Sequence, residues 1–312
     1  MQPWEPLPFS VAQAGERLGP RPLEYLLFES PVARIGAFRA FPSQAGFADS
    51  GPIQRTLFVV PRRAVRIRHE GRSGFVADPN HASFYNRGQV YRREAVDGEG
   101  DHCNWFAVAP APLRDALRER DGCAADDADR PFRFESGPCD RRSYVLAQLA
   151  VRHLIESAAP DALFVEEATL EVLDRLLAGA TRTAAERTHQ RDAHRDLVEA
   201  AKGVLGSSYA AASSLASTAQ ALGVSVFHLS RTFRRLTGLT LHAYRDQLRL
   251  RAALERVPGS RCALTGVALD LGYSSHSHFS AAFSRSFGAT PSQWRATASR
   301  ERARELCARL AL

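Results

Sequence analysis

Apolar and polar positions alternate with a period of two in the first third of the chain. Val65 and Ile67 alternate with Arg66 and Arg68, which is the pattern of a strand with one buried face. Turn residues separate further short runs that are rich in Val, Phe and Tyr. The pattern predicts strands at 55–60, 64–69, 74–77, 82–85, 90–93 and 104–108. Short strands at regular spacing favour a small barrel or sandwich.

From residue 140 onward the apolar positions recur at three- and four-residue steps, which is the period of amphipathic helices. This pattern predicts two helices between residues 140 and 180. Residues 181–195 are polar and short of large apolar side chains, so we expect a connector between domains there.

The C-terminal third contains a duplication. Leu215 and Gly223 of the first copy correspond to Leu264 and Gly272, which lie 49 residues later, and His228 corresponds to His278, which lies 50 residues later. Each copy predicts two short helices that are joined by a turn at the glycine. Residues 241–257 hold no Gly or Pro, so they predict one long helix that spaces the two copies.

The second helix of each copy has one apolar stripe and one polar face. The stripe is Leu229, Phe233 and Leu236 in the first copy, and three phenylalanines at four-residue steps in the second. The opposite faces carry guanidinium, hydroxyl and ring groups, which can contact base edges and phosphates. The predicted DNA-binding residues are Phe227, Ser230, Arg231, Arg234, Arg235, His276, Ser277, Ser280, Ser284 and Arg285.

Charge separates the two parts of the chain. The 312 residues carry a formal net charge of +7, and residues 194–312 alone hold 16 basic and 7 acidic residues, a net charge of +9. Such a basic segment favours a polyanionic partner, and nucleic acid is the first candidate. A solvated helix face is the plainer interpretation of Arg231, Arg234 and Arg235, but the duplicated scaffold favours DNA.

Three motifs in this region resemble the DNA-binding domain of the AraC/XylS family of bacterial transcription regulators. They are His228-Leu229-Ser230-Arg231-x-Phe233, Tyr244-x4-Arg249-Leu250-x-x-Ala253, and Phe287-Gly288-x-Thr290-Pro291-x-x-Trp294-Arg295. The resemblance covers about 100 residues of the chain. It implies that Phe227, Ser230 and Arg231 contact bases from the first recognition helix, and that His276, Ser277 and Ser280 do so from the second.

The second unit departs from the family pattern. Family members commonly carry Arg where this chain has Ala281, and a basic residue where it has Ser284. We therefore expect the second recognition helix to contribute positioning and weak readout.

The sequence and the resemblance together predict an α+β chain. A cupin-like β-barrel with trailing helices occupies residues 1–180, a linker follows at 181–194, an all-α domain of two helix-turn-helix units joined by a long helix occupies 195–298, and a tail completes the chain at 299–312. The predicted function is a sequence-specific transcription regulator of double-stranded DNA. We expect control by a small effector or by homodimerisation, with RNA polymerase as a candidate partner, and we expect no cofactor.

Two features of the strand region leave alternatives open. Tyr85, Tyr91 and Trp105 either line an effector pocket or are plain core residues. His81 and His102 suggest a metal-dependent cupin enzyme as the alternative function, but no His-x-His with a following Glu is present, so we expect no metal site and no catalytic residue.

The remaining expectations concern location and thiols. The first residues show no leader pattern, and no window has the apolar length of a membrane span, so we expect a cytoplasmic protein without membrane association. Five widely spaced cysteines predict reduced thiols rather than disulfides or a structural zinc site.

Overall fold

Strands fill the first part of the chain and helices fill the rest, as the α+β prediction requires. The computed structural model describes residues 23–120, 130–187, 192–211, 214–259 and 263–296. Its strands form two antiparallel sheets with the orders β1-β2-β9-β4-β7-β10 and β3-β8-β5-β6. The strands are β1 (Leu23–Glu29), β2 (Ala33–Ala40), β3 (Asp49–Ser50), β4 (Leu57–Pro61), β5 (Val65–His69), β6 (Phe75–Ala77), β7 (His81–Tyr85), β8 (Tyr91–Ala95), β9 (Asp101–Val108) and β10 (Ser136–Pro138).

Each run that alternation predicted as a strand is a strand, β4 to β9, with ends shifted by a few residues. In β5 the side chains of Val65 and Ile67 are buried and that of Arg68 is exposed, as the alternation predicts. The sequence analysis missed β1 and β2, which pair with each other and continue the larger sheet to β9. The run Leu23–Glu29 (LEYLLFE) is nearly continuous in apolar residues and shows no period of two.

Helices cover one face of the larger sheet. They are α1 (Pro110–Arg118), α2 (Arg141–Glu156) and α3 (Ala162–Arg187), and the last two match the predicted helical region. Their apolar faces pack with those of β2, β4, β7 and β9 into one core, in which Phe58 stacks on Phe106 at a centroid distance of 5.1 Å. The predicted connector at 181–195 is helical where the structure describes it, because α3 extends to Arg187 and the next helix begins at Asp192.

The C-terminal part is helical throughout its described length. It contains α4 (Asp192–Ser208), α5 (Leu215–Ala221), α6 (Val226–Thr237), α7 (Leu241–Gly259), α8 (Leu264–Asp270), α9 (His276–Phe287) and α10 (Pro291–Ala296). Helix α7 is the predicted spacer and spans about 28 Å at 1.5 Å per residue.

Two hydrophobic clusters hold these helices. The first helix-turn-helix unit packs on α4 and α7, with Leu229 and Phe233 fully buried. The second unit shares one continuous cluster with the sheet and with α2 and α3, in which Phe279, Phe283 and Trp294 are buried beside Tyr144. The C-terminal units therefore lie directly against the strand-rich part. The predicted division into domains stays a prediction, because one hydrophobic cluster extends across the predicted boundary.

Among the helices that the structure describes, none has both the length and the apolar composition of a membrane-spanning segment.

Candidate nucleic-acid interface

The two copies of the duplication have the same local structure. Helices α5 and α8 each have seven residues, and α6 and α9 each have twelve. Ser225 and Ser275 begin the second helices, and their hydroxyls accept hydrogen bonds from the backbone N–H of His228 and His278 at 3.2 and 3.1 Å. This is the hydrogen bond that an N-cap serine makes.

Glycines end the corresponding elements of both copies. Gly238 and Gly288 stop α6 and α9 with φ of 72° and 65°, and Gly223 and Gly272 form the inner turns with φ of 65° and 82°. These values lie in the left-handed region that favours glycine. The repeated caps and turns account for the nearly constant spacing of the two copies in the sequence.

Helix α6 exposes the face that the sequence analysis assigned to DNA. Phe227 is 73% exposed, Arg231, Arg234 and Arg235 are exposed, and Ser230 is half-buried. Leu229 and Phe233 fill the opposite face with no exposed area, so the helix cannot rotate without opening its core.

Helix α9 exposes a less charged face. Ser277, Ala281 and Arg285 are exposed, and Ser284 is half-buried. His276 and Ser280 are also half-buried, and the hydroxyl of Ser280 lies 3.3 Å from Nε2 of His276. Arg285, in the last turn, is the one basic residue of this helix's face, so its electrostatic attraction for a phosphate backbone is weaker than that of α6.

The spacer helix α7 is also the contact surface for the strand-rich part. The hydroxyl of Tyr244 donates a short hydrogen bond to the carboxylate of Asp78 and lies 3.1 Å from Nδ1 of His81. Burial favours the neutral acid, but hydrogen bonds from His81 and Tyr244 hold the pKa of Asp78 below its usual value. Burial and the nearby Lys202 lower the pKa of His81, so this imidazole is neutral at pH 7.

Helix α4 completes this buried group. Glu199 accepts a hydrogen bond from the backbone N–H of Val76 at 2.6 Å and one from Lys202 at 2.9 Å. Lys202 is the single lysine of the chain, and only 3% of its surface is exposed. We call Asp78, His81, Glu199, Lys202 and Tyr244 the junction cluster. Sequence reasoning missed it, because its members lie up to 166 residues apart and no local pattern links them.

Further along α7, charged side chains bind backbone and side-chain groups of the strand region. Arg251 is buried, donates to the carbonyls of Pro79 and Cys139, and lies over the ring of Tyr144. Glu255 pairs with Arg62 at 2.6 Å. The helix that spaces the two units is thus fixed in orientation relative to the sheets.

A cavity of about 530 Å³ lies between the two sheets, and Tyr85, Tyr91 and Trp105 all line it. The sequence analysis left open whether these aromatic residues form a pocket or a plain core. Apolar residues of both sheets, Leu57, Val59 and Ile67 among them, provide most of the remaining wall, so the cavity fits a small, mainly apolar molecule.

Two residues that line this cavity, Ser83 and Trp105, each carry a buried polar atom. Ser83 Oγ and Trp105 Nε1 are buried and have no hydrogen-bond partner within the described part of the chain. Beside them Asp101 pairs with Arg93 at 2.8 Å, and Arg93 also donates to the Tyr91 hydroxyl at 2.7 Å. Burial raises the pKa of Asp101 despite the attraction of Arg93.

The structure separates the two histidines that suggested a metal site. His81 belongs to the junction cluster, whereas Nε2 of His102 lies 3.0 Å from the guanidinium of Arg62. Burial and three arginines, Arg62, Arg39 and Arg63, hold the pKa of His102 well below its ordinary value, and the same positive field opposes a metal cation. In the described ranges, no three His, Cys, Asp or Glu side chains are placed to hold a metal ion.

Two of the five cysteines lie in described segments. Cys103 and Cys139 are buried free thiols, and burial raises the pKa of both, that of Cys139 to about 12. Both are therefore protonated and unreactive at pH 7. The other three lie outside the described residues, as does the predicted tail at 299–312.

Residues 218–297 match a family model described as a helix-turn-helix domain. The transcriptional activator RhaR of Escherichia coli strain K12 is 36% identical over 67 residues, which are 22% of this chain and 24% of RhaR. RhaR of Shigella flexneri serotype 5b matches to the same extent. The chain thus spans about a quarter of the length of these curated relatives.

Solved structures with similarity to the chain include proteins from two bacteria. An AraC-type regulator from Chromobacterium violaceum is 24% identical, with a TM-score of 0.33 and coverage of 35% of this chain and 98% of its own. ToxT of Vibrio cholerae, solved with an unsaturated fatty acid, is 10% identical, with a TM-score of 0.36 and coverage of 86% and 96%. Residues 218–297, in the C-terminal part of the chain, thus belong to the helix-turn-helix domain family that the matching model describes.

Proposed function

We propose that the protein is a sequence-specific transcription regulator that binds double-stranded DNA through α6 and α9. The duplicated structure supports this most directly, since two capped helices present exposed polar faces at the two ends of one long helix. Recognition helices of this type lie in the major groove, where side chains near their start reach base edges. Curated relatives that match 67 residues of the chain are named transcriptional activators.

The two helices would divide the work of recognition. Phe227, Ser230 and Arg231 lie in the first half of α6, so they are placed for base contacts, while Arg234 and Arg235 are placed for phosphates. His276, Ser277 and Ser280 take the base-contacting positions of α9, with Ser284 and Arg285 one turn further along. Because α9 carries less charge, we expect it to position the protein while α6 supplies most of the affinity.

The cavity between the sheets is the proposed effector site. Its aromatic and aliphatic wall suits an apolar body, and Ser83 Oγ with Trp105 Nε1 offers two hydrogen-bonding groups that lack partners among the described residues. A ligand that binds one arrangement of the sheets better than another shifts the population of DNA-binding states. The junction cluster supports such coupling, since it connects the strand region directly to α7.

Homodimerisation and contact with RNA polymerase also belong to this proposal. A homodimer would double the number of recognition helices on an operator. Analytical ultracentrifugation of the full chain tests homodimerisation. A chain that stays monomeric at all concentrations that support DNA binding would refute the homodimer. Whether the bound protein activates or represses depends on where its site lies relative to the promoter.

The central test uses the full-length protein and DNA fragments recovered with it from its own genome. We expect the affinity for recovered sites to exceed that for random duplex and to fall steeply with salt. Arg231→Ala should reduce the ratio of the affinity for recovered sites to the affinity for random duplex. The matched control is Arg118→Ala, because Arg118 is a basic residue of α1, far from both recognition helices in the sequence.

Equal affinity for recovered and random DNA at every salt concentration would refute sequence-specific regulation.

The alternative enzyme function has its own test. Stoichiometric iron, manganese or zinc that is lost in His81→Ala or His102→Ala would favour a metal-dependent cupin enzyme. The observed separation of these histidines and the field around His102 oppose this outcome.

A further inference from the structure

A second large cavity lies outside the sheets, where the strand region, α3, α4 and the end of α6 meet. Its volume is about 740 Å³, and it is an open crevice rather than an enclosed chamber. Two members of the junction cluster that carry charge, Glu199 and Lys202, line it together with His81. The crevice therefore adjoins the contact that fixes α7 to the sheets.

Positive charge dominates this crevice. Among the residues that the structure describes, three carboxylates line it, those of Glu135, Asp196 and Glu199, against six cations. We call it the basic crevice, and its cations are Arg72, Arg133, Arg182, Arg195, Lys202 and Arg235.

The carboxylates do not neutralise the crevice. Glu199 is bound by Lys202 and by the backbone N–H of Val76, and Glu135 lies 3.4 Å from Arg72. Attraction to Lys202 and the hydrogen bond from Val76 outweigh burial and hold the pKa of Glu199 below its ordinary value, so it is ionised. His81 is neutral at pH 7, so the described lining residues carry a net charge of +3.

The cations come from the strand region and from three helices. Arg72 and Arg133 lie in loops of the strand region, Arg182 in α3, Arg195 and Lys202 in α4, and Arg235 in the last turn of α6. Arg195 and Asp196 of α4 both line the crevice. Like charges from the strand region and three helices converge here, and an anion bound among them would offset their mutual repulsion.

We propose that the basic crevice binds a small hydrophilic polyanion, a phosphate ester or a polycarboxylate, that bridges the strand region, α3 and α4 to the first recognition helix. Such an anion takes charge-assisted hydrogen bonds from guanidinium groups on both sides of the crevice. This site is distinct from the cavity between the sheets, whose wall is mainly apolar.

The shared residue Arg235 gives the site a regulatory consequence, which rests on the proposed function. Arg235 is exposed on α6, its guanidinium lies 2.9 Å from Nδ1 of His194, and we assigned it to DNA phosphates. A bound polyanion competes for the same guanidinium and holds α6 against the strand region. Polyanion binding therefore opposes DNA binding.

Calorimetric titration of the full-length protein with pyrophosphate, and separately with citrate, tests the proposal without DNA. Ionic strength is held constant with sodium chloride. We expect a saturable single site for at least one of the two anions, and the stronger binder identifies the ligand chemistry as phosphate ester or polycarboxylate. Arg182→Gln should weaken binding about tenfold, which corresponds to about 1.4 kcal/mol.

The matched control is Arg118→Gln, which removes one positive charge from α1, outside the crevice lining. Absence of saturable heat with both anions, or equal weakening by Arg182→Gln and Arg118→Gln, would overturn the proposal. A second titration follows fluorescent promoter DNA at constant ionic strength, where the anion should reduce affinity. If DNA binding itself were absent, the calorimetric site would still stand, so failure of the two proposals is distinguishable.

Discussion

The hydroxyl of Tyr244 lies 3.1 Å from Nδ1 of His81, although the two residues are 163 positions apart in the chain. Tyr244 belongs to α7, which spaces the two helix-turn-helix units, and His81 begins β7 of the larger sheet. Tyr244 also packs edge-on against Phe233, the core residue of the first recognition helix, at a centroid distance of 5.3 Å. One side chain thus contacts both the sheet and the helix that we propose to read DNA.

Tyr244→Phe tests the strength of this contact. The variant keeps the ring against Phe233 but removes the donor to the buried carboxylate of Asp78. Loss of one partner leaves a buried acceptor unsatisfied, so we expect the free energy of unfolding to fall by about 1–3 kcal/mol.

Urea denaturation measures this change. Tyr209→Phe is the control, because the Tyr209 hydroxyl makes a longer bond, 3.3 Å from Arg63, at a half-buried position. Equal loss of stability in both variants would show that the Tyr244 hydrogen bond in the junction cluster contributes no more than the half-buried bond of Tyr209.

The free energy of unfolding should also fall in mild acid, because His69 is buried. Burial and the nearby Arg72 lower the pKa of His69 to about 4, and Gln89 Nε2 donates to its Nδ1 at 2.5 Å. Above pH 6.5 His69 is neutral in the folded and the unfolded protein. Between pH 6.5 and about 4 the unfolded chain binds a proton at His69 that the folded chain does not, so folding becomes less favourable.

The contribution of His69 to this loss is roughly 2–3 kcal/mol by pH 4. Guanidinium denaturation at a series of pH values measures it, and His69→Gln should flatten the profile in this window. His242→Gln serves as the control, since His242 is exposed on α7. A profile as steep in His69→Gln as in the parent protein would contradict the assignment.

The caps of the two recognition helices provide a matched pair. Ser225 and Ser275 make equivalent bonds at 3.2 and 3.1 Å, so we expect Ser225→Ala and Ser275→Ala each to cost about 1 kcal/mol of stability. Ser284→Ala, in the interior of α9, should be neutral in the same denaturation experiment, because alanine favours helix interiors. If one cap variant were neutral and the other costly, the two units would not be energetically equivalent.

Periodicity and duplication made much of this fold predictable. Alternation located β5 because its two faces differ, and repeated glycines and serines located α6 and α9 because both copies use the same caps. Local sequence could not reveal that Asp78 meets Tyr244, or that Glu199 of α4 binds the backbone of Val76. Such pairs depend on how distant elements pack, and the lone lysine, Lys202, attracts notice in the sequence without showing its partner.

Gly36→Ala tests the wall of the cavity between the sheets. Gly36 of β2 pairs with Trp105 of β9, and a Cβ atom at Gly36 would overlap both the Trp105 indole and the Tyr25 carbonyl oxygen. The indole must therefore move, and overpacking of this kind costs about 1–3 kcal/mol. Because Trp105 lines the cavity, its displacement should change tryptophan fluorescence and acrylamide quenching together with the loss of stability.

Gly98→Ala is the control, since nothing lies within 4 Å of a Cβ atom built there. Unchanged fluorescence and equal melting temperatures in the two variants would mean that Trp105 is not held against β2, and the effector proposal would lose one of its two polar groups.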